Sequence, residues 1–94
     1  MNQTPNQSSV QRRFFDAIDA LKNAGVIGGL QTFTARYGLN RTKYSRVRTA
    51  IRSGAHGQYQ NIDIDALSYI VTDYGVNARW LLTGNGNMFV TRSK

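Results

Sequence analysis

The residues with the most chemistry to offer in this chain are cations. Between Ala20 and Ile62 lie Lys22, Arg36, Arg41, Lys43, Arg46, Arg48 and Arg52, with no acid among them. The rest of the chain balances: Arg12, Arg13, Arg79, Arg92 and Lys94 against Asp16, Asp19, Asp63, Asp65 and Asp73. The net charge of +7 therefore belongs to one segment. An acid-free basic segment suits a polyanion, and nucleic acid is the commonest one. Other chemistries find little material. With one histidine and no cysteine, thiolate zinc sites are excluded and any metal would have to rest on carboxylates. No nucleophile stands beside a base in any familiar pattern. The glycine run Gly84 to Met88 (GNGNM) follows a helical pattern rather than a strand, so it does not read as a nucleotide loop. The expectation is a binding protein, not an enzyme, with no metal and no cofactor.

The elements that must position these cations are legible from apolar spacing and punctuation. At 94 residues and 40% hydrophobic composition, the chain is one domain with one small core. Its apolar runs are only a few residues long, so no stretch approaches the ~20 needed to span a bilayer. No signal-peptide core opens the chain, which reads as cytoplasmic with no membrane partner. Residues 1–8 are polar and read as a flexible N-terminal tail, with Ser8 or Ser9 capping a first helix. Val10, Phe14, Ala17, Ile18 and Leu21 form its apolar stripe, and Gly25 ends it. A second helix spans about Leu30 to Tyr37 and stops at Gly38. Asn40 caps a third, through about Arg52, with Tyr44, Val47 and Ile51 on one side and Gly54 at its end. Ala55 to Asn61 is a polar loop. Asn61 or Asp63 caps a fourth helix carrying Ile64, Leu67, Ile70, Val71 and Tyr74, closed by Gly75. Asn77 caps a short fifth helix with Trp80, Leu81 and Leu82, ending at Gly84. The folded domain is set at residues 9–84, with 85–94 a turn and tail or linker. The fold class is all-α, about five helices.

Helices two and three have the spacing of a helix-turn-helix. Thr34 supplies a small residue where two helices cross, Gly38 a turn residue free to take positive φ, and Leu39 a core plug. Tyr44 and Val47 are anchors for the second helix. The run FTARYGLNRTKYSRV resembles the helix-turn-helix of the Cro/CI phage-repressor family, the XRE-like regulators. The later run YGVNARWLLTGNGNMF is similar to the W-L-L-T-G-x-G-x-M ending of CI-like repressor domains. The two occur in the family's order and cover, with their helices, about residues 10 to 89. Departures are Thr34 for the usual alanine, a longer loop after helix three, and RTAIRSG where many relatives carry an acid. The resemblance implies a compact five-helix lambda-repressor-like domain. It also implies sequence-specific binding of double-stranded DNA, usually as a homodimer on a palindromic operator.

At about 100° per residue, a buried direction through Tyr44, Val47 and Ile51 sends Thr42, Ser45, Arg46, Thr49 and Ser53 outward, flanked by Arg41 and Arg52. Arginine forks match the two acceptors of guanine, and hydroxyls serve several base edges. In this motif the first residues of the second helix point at base edges. The base-reading set is therefore Arg41, Thr42, Ser45 and Arg46. The phosphate set is Lys43, Arg48 and Arg52, with Gln31 and Thr32 at the start of helix two, where free N–H groups hold anions. His56 and Gln58 are further candidates along the groove rim. Arg12 and Arg13 read either as phosphate contacts or as surface charge, Tyr37 and Tyr59 as packing residues within reach of phosphate, and Asp63 and Asp65 as cap and dipole residues. Trp80, Leu81 and Leu82 read as core, with part of that helix available to a dimer interface as the resemblance suggests.

Bacterial or phage repressor-type regulation is the leading reading. A DNA-binding accessory module of a mobile-element or recombination protein uses the same parts. A protein–protein adaptor would need an apolar patch on helix three, where the sequence puts Thr, Ser and Arg.

Overall fold

The computed structural model describes residues 5–53 and 62–90. The described chain is all-α, with α1 Pro5–Asn23, α2 Leu30–Tyr37, α3 Arg41–Ser53, α4 Ile64–Tyr74 and α5 Ala78–Thr83. The first helix begins at Pro5, ahead of the expected cap at Ser8 or Ser9. Proline fits a first helical position because it has no N–H to leave unpaired and its φ is already helical. Gly54, His56, Gln58, Tyr59 and Asn61 lie outside the described residues.

Helix α1 is the centre of the molecule and packs against α2, α3 and α5. That surrounds it on more sides than one stripe can serve, so Phe15 and Gln11 are buried alongside Phe14, Ala17, Ile18 and Leu21. Phe14 meets three rings edge-on: Phe15 at 5.1 Å, Phe33 at 5.5 Å and Tyr44 at 6.3 Å between centroids. Edge-to-face pairs of this kind add about 0.5–1.5 kcal/mol each beyond the area they bury. Gln11 accepts the Ile62 amide at 2.7 Å, which fixes where the chain returns after the α3–α4 connection.

The helix ends follow the glycines. After α1, the Val26 amide bonds to Leu21 O and the Gly25 amide to Lys22 O, with Gly25 at φ 78°. The same pair of bonds recurs after α2, from Leu39 to Thr34 O at 2.8 Å and from Gly38 to Ala35 O at 3.4 Å. Both are Schellman closures, which need a residue in the left-handed region. Asn40 caps α3, its Oδ1 accepting the Lys43 amide at 3.0 Å, and Asn77 caps α5 through the Arg79 amide. Asp63 occupies the N-cap position of α4, but its side chain makes no capping bond. The buried Tyr44 hydroxyl draws its carboxylate to α3 instead, at 2.8 Å.

The segment after α5 belongs to the fold as far as Val90. The Asn77 amide donates to Met88 O at 2.8 Å and the Val90 amide to Gly75 O at 2.9 Å, pairing Val76 with Phe89 as an isolated antiparallel bridge. Met88 and Phe89 pack against the core. Residues 88–90, expected in a turn and tail, are therefore held by backbone bonds and apolar contact. No helix among the described residues is long and apolar enough to cross a membrane.

Candidate nucleic-acid interface

Helix α3 has two contrasting sides. Tyr44, Val47 and Ile51 are buried, as the periodicity requires. On the other side Arg41, Thr42, Ser45, Arg46, Thr49 and Ala50 line one open surface depression. The four expected base readers, Arg41, Thr42, Ser45 and Arg46, thus share one exposed face. Helical geometry puts Thr49 on that face too, and the structure adds Ala50. Its methyl adds an apolar spot beside the hydroxyls, and the sign of it in the sequence is only its position one residue past Thr49.

The expected phosphate contacts divide into three groups. Gln31 and Thr32 are exposed in the first turn of α2. Gly29 precedes that turn at φ 128° and offers no side-chain cap, so the first N–H groups of α2 lack the usual oxygen partner. A Cβ on Gly28 would stand 2.6 Å from the Thr32 hydroxyl, so the bare glycine is what lets Thr32 lean back over the helix start. Arg48 is half-buried on the flank of α3. Lys43 and Arg52 are engaged elsewhere. The Lys43 ammonium lies 3.4 Å from Asp63, and the Arg52 guanidinium spans Asp16 at 3.0 Å and Asp19 at 2.7 Å. Those are the ion pairs among the described residues, and none includes Arg41, Arg46 or Arg48.

Several neighbouring groups serve the fold. Arg12 donates to Ile51 O at 3.4 Å and Arg13 to Leu81 O at 2.8 Å. These guanidiniums meet carbonyls near the C-terminal ends of α3 and α5, where cations are favoured. Tyr37 stacks on Tyr69 with centroids 4.1 Å apart and donates to Asp73. Desolvation and the Asp73 carboxylate push its hydroxyl well above the ordinary tyrosine range, so packing is its part. Arg36 sits over the rings of Tyr37 and Tyr74. Tyr44 is shifted upward as well, by burial first and then by Asp63. Asp63 in turn is held below the usual carboxylate range, by the Tyr44 hydroxyl first and by Lys43 against an opposing burial effect.

A second surface feature is an open apolar groove of about 320 Å³ between α4 and α5. Ile64, Leu67, Val71, Leu81 and Leu82 line it, and Ile64 is 80% exposed and Leu82 56%. Trp80 is half-buried against the core.

No model of a known family, curated protein or solved structure matches this chain.

Proposed function

We propose that α2 and α3 act as a helix-turn-helix and that this chain binds double-stranded DNA by sequence, as a repressor-type transcriptional regulator. The observation that carries the reading is the outward face of α3. It gathers Arg41, Thr42, Ser45 and Arg46 on one depression, while the opposite face is sealed into the core by Tyr44, Val47 and Ile51. A helix presented this way fits the major groove, where its first turns reach base edges. Arg41 and Arg46 have no carboxylate partner among the described residues, so their forks are available to guanine acceptors. Thr42 and Ser45 take further base edges. Gln31, Thr32 and Arg48 hold the flanking phosphates, which fix register without reading sequence. Lys43 and Arg52, expected with them, are held by Asp63, Asp16 and Asp19 and stand outside this set. The DNA-bound form is a homodimer on a palindromic operator, with the neutral α4–α5 groove as the surface between copies.

Selection of bound sites from a random duplex pool at about 0.15 M salt tests this. The expected product is a palindrome with half-sites about one helical turn apart. Binding without a recovered motif would replace the regulator with a non-specific accessory module. Absence of binding would overturn the DNA reading.

A further inference from the structure

The acids of this chain avoid the basic segment in sequence, yet three of the five pair with its cations in space. Asp63 meets the N-terminal end of α3 through Lys43 and Tyr44. Asp16 and Asp19, one turn apart on α1, meet its C-terminal end through Arg52. The other arginines of α3, Arg41, Arg46 and Arg48, have no carboxylate partner among the described residues. We infer that these three aspartates are positioning residues: they hold Lys43 and Arg52 off the DNA backbone, so that a duplex meets only Arg41, Arg46 and Arg48 among the cations of this helix. This rests on the DNA reading above.

The physical reason is competition. A phosphate that recruits Lys43 or Arg52 must first displace a carboxylate already in place. Asp63 is itself fixed, since Tyr44 donates to its carboxylate at 2.8 Å while the Asp63 amide donates back to the same hydroxyl at 3.1 Å. Any duplex meets this competition, since the phosphate backbone is the same whatever the sequence.

The experiment measures binding to a random duplex across a salt series, because each cation placed on a phosphate adds about 0.9 to the slope of log K against log salt. The proteins are wild type, Lys43→Gln, Asp63→Asn and the double variant, with Asp16→Asn/Asp19→Asn as the test of the other end. Asparagine keeps an oxygen for the Tyr44 hydroxyl, and unfolding midpoints check that each variant is folded. Lys43→Gln is expected to leave the wild-type slope unchanged. Asp63→Asn should steepen it by about 0.9, and adding Lys43→Gln should restore it. Asp16→Asn/Asp19→Asn should steepen it by a similar step. Random-duplex and operator binding should tighten together, since the released cation meets phosphates common to both. Lys43→Gln flattening the wild-type slope by a full step would overturn the inference, since Lys43 would already be on phosphate. A wild type that binds no duplex would instead overturn the reading beneath it.

Discussion

Tyr44 donates its hydroxyl to Asp63 Oδ2 at 2.8 Å and accepts the Asp63 amide at 3.1 Å, with its ring fully buried. The sequence places Tyr44 on the inner face of α3 correctly but gives no sign of the hydroxyl's partner, because Asp63 lies 19 residues on and looks like an ordinary helix cap. Removing the hydroxyl with Tyr44→Phe should cost about 1–3 kcal/mol, the usual loss when a charged acceptor and a part-buried amide lose a partner. Urea unfolding checks the cost, and an NMR titration should find the Asp63 carboxyl moved up toward its ordinary range. The raised Tyr44 and Tyr37 hydroxyls also set an alkaline limit. Unfolded tyrosine ionises near pH 10, while the folded groups stay protonated. Their contribution is therefore complete below about pH 10 and is lost as pH rises beyond it. Thermal midpoints between about pH 8 and 11 should fall only in the upper part of that range, and a flat profile would refute the assignment. On the outer face the prediction concerns Arg46. Arg46→Ala should weaken operator binding by about 1–3 kcal/mol, the worth of one bidentate base contact, and weaken random-duplex binding much less. Equal losses on both would remove Arg46 from the base-reading set.

The helices themselves were legible because their signals are local. Glycines at positive φ stand after α1, α2, α4 and α5, and asparagines with capping bonds stand before α3 and α5. What the periodicity missed has a common origin in tertiary surroundings. Phe15 and Gln11 sit off the main stripe of α1 and are buried only because that helix is enclosed by three others. Met88 and Phe89 lie beyond the helices and join the fold through a single bridge, Val76 with Phe89, flanked by the Asn77–Met88 and Val90–Gly75 bonds and too short to leave an alternating pattern. The turn between α2 and α3 offers the cleanest test at this scale. Gly38 has φ 66°, and a Cβ added there meets nothing within 4 Å. A Gly38→Ala protein should thus lose about 1–2 kcal/mol from left-handed backbone strain alone. Gly38→Asn should lose less, since asparagine tolerates that region better. Denaturant midpoints for the two variants check the order. Equal losses would mean that something other than φ holds this turn.

At the scale of the molecule, the charge arithmetic located the acid-free basic segment but not its internal neutralisation, since distance along the chain hides the aspartates that fold back onto α3. The same charge bears on assembly. Two copies at +7 each repel, and the α4–α5 groove is a surface where they can meet without opposing charges, being lined by Ile64, Leu67, Ser68, Val71, Thr72, Ala78, Leu81 and Leu82. Screening by salt or by the phosphates of an operator weakens that repulsion. Free protein should therefore be mostly monomeric at low salt and micromolar concentration, and pairs should form on adjacent half-sites. Ile64→Ser/Leu82→Ser removes the two most exposed apolar side chains of the groove, and neither is buried enough in the monomer for its loss to unfold the domain. Titrating a selected two-half-site operator with this variant should give independent filling of the half-sites, against cooperative filling by wild type, with affinity for a single half-site the same in both proteins. Cooperative filling that survives the double substitution would place the contact between copies on another face. Loss of single-site affinity would mean that the groove supports α3 rather than a second copy.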